Sequence, residues 1–119
     1  MNIEDFRAYC IAKPGAEESF PFDENTLVFK VGGKMFCALD VDEFESFNAK
    51  CDPDRAIELR ERYSGILPGY HMSKKHWNTV MADGSVPDEL MKQLVDDSYT
   101  LVFNTLPRKN RDSIQPKSH

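Results

Sequence analysis

The side chains best suited to meeting an anionic or π-rich ligand fall within one stretch, Pro68 to Val80. It reads Pro-Gly-Tyr-His-Met-Ser-Lys-Lys-His-Trp-Asn-Thr-Val. It holds the only tryptophan, Trp77, two of the three histidines, His71 and His76, and the pair Lys74-Lys75. No carboxylate occurs between Glu61 and Asp83. Ammonium groups neutralise phosphates, and about three such contacts give a log-log salt slope of about −3. An indole or phenol face stacks on an unpaired base for about 1–3 kcal/mol. Lys74, Lys75, His76 and Trp77 are therefore the candidate nucleic-acid contacts, supported by Arg62, Tyr70 and His71. The same residues also suit plain structure, with Trp77 anchoring a strand and Lys74-Lys75 forming a polar turn.

Other chemistries find less support. His71 and His76 flank a turn with no cysteine or carboxylate nearby in sequence, so no metal site is expected. Ser64 and Ser73 lack a G-x-S-x-G setting. Glu17-Glu18 and Asp96-Asp97 are sequence neighbours, and on a helix adjacent side chains point apart. Gly32-Gly33 fits a hairpin rather than a phosphate loop. No catalytic set and no cofactor are expected. The run Asp40-Val41-Asp42-Glu43-Phe44-Glu45 reads as a hydrated acidic turn. Its alternative, a weak divalent-cation site, lacks the glycine and downstream glutamate of an EF-hand loop.

The elements that carry these residues follow from period and punctuation. Residues 2–13 suit an amphipathic helix capped by Asn2, with Ile3, Phe6 and Cys10 inward and Pro14-Gly15 as its stop. Residues 16–25 read as an ordered loop with Phe20 and Phe22 tucked against the core. Thr26–Val31 and Lys34–Leu39 are strands joined at Gly32-Gly33 in a tight hairpin. That register sets Val31 opposite Lys34, Phe29 opposite Phe36 and Leu27 opposite Ala38, and places Val28, Lys30, Met35 and Cys37 on the other face. A third strand spans Ser46–Cys51, with Phe47, Ala49 and Cys51 on one side. Asp52-Pro53 opens a helix that ends at Ser64-Gly65. Gly69–Met72 and Trp77–Ala82 are predicted as short strands around a turn at 73–76. A last helix runs from about Pro87 to Leu106, with Ser85 and Asp88 at capping-box spacing.

The order, α-β-β-β-α-β-β-α without βαβ alternation, implies an α+β fold in which helices cover one face of an antiparallel sheet. A chain of 119 residues is one domain's worth. The expected division is a domain over 1–107 and a polar tail over 108–119. The three cysteines, Cys10, Cys37 and Cys51, are widely spaced among apolar residues and read as buried thiols. No run is long and apolar enough for a membrane helix, and no secretory leader opens the chain, so a cytoplasmic protein is expected. The net charge of −5 disfavours a strong nucleic-acid partner but leaves room for a local basic face.

Several segments together carry a family resemblance. They are Lys13-Pro14-Gly15-Ala16-Glu17, Phe20-Pro21-Phe22, Gly33-Lys34-x-Phe36, the Pro68–Val80 stretch and Asp83-Gly84-Ser85-x-Pro87. On these residues the chain resembles the MmcQ/YjbR family of small bacterial proteins, described as DNA-binding and grouped with CyaY-like folds. The resemblance covers roughly residues 1–107. It implies the same element order and DNA binding through paired hairpin wings. It brings no catalytic residues. The expectation is thus a non-enzymatic protein that binds DNA weakly with little sequence preference. The alternative is an adaptor or homodimer that uses the sheet face bearing Val28, Met35 and Cys37 and makes no nucleic-acid contact.

Overall fold

The computed structural model describes residues 1–70 and 72–114. Its elements are α1 (Ile3–Ile11), β1 (Ala16–Ser19), β2 (Thr26–Val31), β3 (Lys34–Asp40), β4 (Ser46–Lys50), α2 (Pro53–Arg62), β5 (Ile66–Pro68), β6 (Trp77–Met81), α3 (Asp88–Asn104) and α4 (Arg108–Ile114). The six strands form one antiparallel sheet in the order β1-β2-β3-β4-β6-β5. This is the expected α+β architecture with one strand and one short helix more.

The extra strand is β1. Ala16–Ser19 pairs with Val28–Val31 at the sheet edge, where the sequence suggested a loop. Three of its four residues are exposed, so it carries no apolar alternation to announce it. Phe20 and Phe22 also depart from expectation, since they are 47% and 72% exposed rather than tucked inward.

The Gly32-Gly33 turn is as predicted, with φ of 58° and 80°, values open to glycine and strained for most other residues. The pairing beyond it is not. Val31 faces Lys34 and Lys30 faces Met35, but Phe29 then faces Cys37 and Leu27 faces Leu39. One extra residue on β3, Phe36, makes a bulge. The bulge turns Cys37 to the core side, removing it from the face where strict alternation placed it. Ser98 on α3 secures the irregularity. Its hydroxyl donates to the Phe36 carbonyl at 2.5 Å and accepts the Lys50 N–H at 2.8 Å, tying α3 to β3 and β4.

One face of the sheet carries Leu27, Phe29, Phe36, Leu39, Phe47 and Val80 into a core shared with α1 and α3. Phe6 of α1 meets Phe47 at 4.6 Å between ring centroids, and Tyr99 of α3 meets Phe36 edge-on at 5.3 Å. All three cysteines are buried free thiols, as expected, and burial pushes the Cys37 and Cys51 thiols up. Asn2 and Asp52 cap α1 and α2 as predicted. Ser85 does not cap α3, because its hydroxyl is engaged by Asp83 instead. Within the predicted tail, α4 is helical, and Ile114 packs on the core. No helix among the described residues is long and apolar enough to cross a membrane.

Candidate functional site: a groove on the helix-free sheet face

Among the described residues no helix lies over the second face of the sheet. By register it carries Thr26, Val28 and Lys30 of β2, Met35, Ala38 and Asp40 of β3, Ser46, Asn48 and Lys50 of β4, and Trp77, Thr79 and Met81 of β6, but Val28, expected on an exposed face, is fully buried. A hollow of about 840 Å³ lies on this face. That volume is in the range of small-molecule sites, roughly 300–1,000 Å³.

The β5–β6 connection forms one wall. The strand predicted over 69–72 lies instead at Ile66–Pro68, because the backbone leaves the ladder at Tyr70. The Gly69 N–H still bonds to the Trp77 carbonyl at 2.9 Å, but the Tyr70 N–H turns to the Thr79 hydroxyl at 3.0 Å. That hydroxyl in turn donates to Asn48 Oδ1 at 2.6 Å. A relay from Tyr70 through Thr79 to β4 thus sets the height of the loop above the sheet. Gly69 is required by close approach. A Cβ there would lie 2.8 Å from Trp77 Cβ and 2.9 Å from its carbonyl oxygen. The His76 and Trp77 N–H groups both bond back to the Ser73 carbonyl, closing the turn on itself.

Within this frame Trp77 is half-buried, and it lines the hollow with Tyr70, Met72 and Ser73. Lys74, Lys75 and His76 are exposed on the turn at its lip. The Lys74 ammonium reaches the Gly69 carbonyl at 3.4 Å, and among the described residues no carboxylate pairs with Lys74 or Lys75. Arg62 does not join them. Its guanidinium sits 5.7 Å from the Tyr63 ring centroid, and it lines a small surface hollow on α2 with Glu58 and Leu90. Arg60 takes the place expected for Arg62, donating from Nη1 to the Lys74 carbonyl at 2.9 Å. The two lie half a helical turn apart, and the sequence alone gave no cue to which one faces the turn. His71 lies outside the described residues.

The other charged wall is the β3–β4 turn. Asp40 accepts the Asp42 N–H at 2.8 Å, and its carbonyl accepts the Phe44 N–H at 3.0 Å. Phe44 has a φ of 44°, a left-handed conformation that a bulky residue rarely adopts. Its ring packs on Phe6 at 5.1 Å, a contact that offsets the strain and leaves the flanking Glu43 and Glu45 exposed. Asp40, Glu43 and Glu45 all line the hollow. The hydrogen bond and the negative charge from Glu45 hold the Glu43 carboxyl above its ordinary value. The acidic run read as hydrated is therefore also a wall of the groove. Among the described residues no three histidine, cysteine or acidic side chains converge as a metal site would require.

Sequence reasoning missed Phe22, Met35, Asn48, Thr79 and these acids as parts of one site. The usable signal was the run of small and polar residues at alternate positions of β3 and β4, Ala38, Asp40, Ser46 and Asn48, which marks a face without a helix over it.

A family model described as YjbR matches residues 11–101. The Escherichia coli K12 protein YjbR is 38% identical over 112 residues, covering 93% of this chain and 95% of that one. The Escherichia coli O157:H7 protein YbdF is 32% identical over 114 residues, covering 95% and 93%. Among solved structures, a Deinococcus radiodurans protein with a DUF419 domain superposes with a TM-score of 0.88 at 38% identity, covering 99% of this chain and 95% of that one. A Pseudomonas syringae protein gives a TM-score of 0.74 at 26% identity, covering 86% and 99%.

Proposed function

We propose that this chain, which belongs to the YjbR family, acts by binding rather than by catalysis, and that it takes DNA weakly and with little sequence preference at the turn between β5 and β6. The observation that carries this reading is the state of the turn's cations. Lys74 and Lys75 are exposed and carry no carboxylate partner among the described residues, beside the half-buried Trp77. Phosphates would meet Lys74 and Lys75, with Arg60 behind them, and an unpaired base would stack on Trp77 or Tyr70. Asp40, Glu43 and Glu45 across the groove repel phosphate, which confines the contact to the lip and keeps the affinity low. With three phosphate contacts on duplex DNA, raising salt from about 50 to about 200 mM weakens binding about 40-fold.

The test is a titration with short single- and double-stranded DNA at those salt levels, followed by Trp77 fluorescence and amide NMR shifts. Shifts should cluster at Tyr70 and at residues 72–79, and the Lys74→Glu/Lys75→Glu variant should lose them. Unchanged spectra at high micromolar protein would refute the reading. A second reading is a cytoplasmic adaptor or homodimer that uses the sheet face. It draws on Phe22 and Tyr70, 72% and 68% exposed at the edges of the groove. Unchanged DNA spectra together with a dimer in sedimentation would favour it.

A further inference from the structure

Charge on the second sheet face is sorted by position along the strands. Strand β4 runs from Ser46, beside the acidic turn, to Lys50, and β6 runs back from Trp77, paired with Lys50, to Met81, paired with Ser46. On β2 and β3, Thr26 pairs with Asp40 at the first of these ends and Lys30 with Met35 toward the second. Asp40, Glu43 and Glu45 therefore border one end of the face. Lys30 and Lys50 border the other, with Lys74 and Lys75 on the turn that leads into Trp77. Among the described residues no ion pair engages any of these side chains. From Ser46 to Lys50 the strand covers about 13 Å at about 3.3 Å per residue. That exceeds the screening length of about 8 Å at physiological salt, so the two ends do not cancel each other. The Glu45 hydrogen bond and repulsion from Glu45, Asp40 and Asp42 hold the Glu43 carboxyl up, as unrelieved crowding of like charge requires.

Such a surface is complementary to itself. Two copies packed face to face are related by a two-fold axis in the plane of the interface, and every contact occurs twice. An axis along the strands would set acid over acid and lysine over lysine. An axis across the strands reverses the ends and sets opposite charges together. It also carries Phe22, 72% exposed beside the acidic end, toward Met35 of the other copy. A polyanion would satisfy one end of the face and be repelled at the other, and a polycation the reverse. A second copy answers both ends at once.

We propose that the chain pairs with a second copy of itself through this face, with the acidic turn of each copy over Lys50 and the Lys74–Lys75 turn of the other. This rests on the homodimer reading of the sheet face and gives it an arrangement. Lys74 and Lys75 serve both this contact and the DNA contact, which therefore compete.

The test is sedimentation equilibrium of the protein without DNA, so its outcome is independent of the DNA reading. The parent should show a monomer–dimer equilibrium that weakens about tenfold between about 50 and about 500 mM salt. Glu43→Lys/Glu45→Lys makes both ends basic, and Lys50→Glu/Lys74→Glu/Lys75→Glu makes both acidic. Each variant alone should be monomeric, and the two mixed in equal amounts should form a heterodimer, a recovery that a misfolded chain cannot give. Phe22→Ala, which removes an exposed ring and keeps every charge, should weaken the parent dimer. A parent that stays monomeric at high micromolar concentration and low salt would overturn both the arrangement and the homodimer reading. A dimer that survives both charge reversals but is lost on Phe22→Ala would overturn the arrangement alone. A dimer indifferent to all three changes uses another surface and would overturn both.

Discussion

The Thr79 hydroxyl is the point where loop, groove and sheet meet, and Thr79→Val isolates it. Valine keeps the branched shape and the strand preference, so packing on β6 changes little. Two hydrogen bonds are lost, the one donated to Asn48 Oδ1 at 2.6 Å and the one accepted from the Tyr70 N–H at 3.0 Å. Each is worth a net of about 0.5–1.5 kcal/mol. Thr79 itself is 7% exposed, but Asn48 is half-buried and Tyr70 is exposed, so water can take over part of both vacancies. The expected loss is thus about 1–2 kcal/mol. For a chain of this length it lowers Tm by about 3–8 °C. Urea unfolding followed by Trp77 fluorescence and far-ultraviolet circular dichroism measures the loss, with an unchanged m-value showing that the unfolded state is unaltered. Amide exchange supplies the local readout, since the Tyr70 N–H should lose protection while the Gly69 N–H, bonded to the Trp77 carbonyl, keeps it. A loss below about 0.5 kcal/mol with the Tyr70 amide still protected would refute the relay as the support of the loop.

Three further perturbations separate the supports of the fold from those of the site. Ser98→Ala strands the Phe36 carbonyl and the Lys50 N–H at a position that is fully buried, so it should cost about 2–4 kcal/mol in urea unfolding, more than Thr79→Val. Gly69→Ala drives a Cβ into the Trp77 backbone and should cost about 1–3 kcal/mol, with the Trp77 emission shifted as the hairpin opens. The Tyr9 phenol donates to Asp96 at 2.7 Å, and burial together with that bond pushes its pKa up from 10.0 to about 12. The folded value lies above the unfolded one, so its contribution is intact below pH 10 and fades as pH rises through about 12. The stability gap between the parent and Tyr9→Phe, measured by thermal unfolding, should accordingly narrow across that interval, and a constant gap would contradict the assignment.

Local patterns in the sequence disclosed most of the fold. Asn2 and Asp52 are caps by residue type, Gly32-Gly33 admits the positive φ of a tight turn, and Phe47, Ala49 and Cys51 alternate as a half-covered strand must. The failures have specific causes. Strand β1 is an edge strand whose outer residues meet water, so its pairing with β2 rests on backbone hydrogen bonds that no side-chain pattern reports. The bulge at Phe36 defeated alternation because it is stabilised from afar, by a hydroxyl on α3 that is 62 residues away in sequence. Once one residue is inserted, every later residue on β3 changes face. That is why Cys37 is in the core and not on the surface once proposed for pairing.

The site was less legible because folding divides what the sequence presents as one patch. Along the chain, Tyr70, Lys74, Lys75, His76 and Trp77 are neighbours in a stretch without acids. In the structure the aromatic members turn into the groove while the cations stay on its lip. The sheet order then sets β6 next to β4, and the β3–β4 turn brings Asp40, Glu43 and Glu45 to the same hollow. Acids of the groove and cations of the neighbouring turn are more than twenty residues apart in sequence, and among the described residues no ion pair engages Asp40, Glu43, Glu45, Lys74 or Lys75. With a screening length of about 8 Å at physiological salt, a ligand responds to the few charges nearest to it and hardly at all to the molecule's net −5.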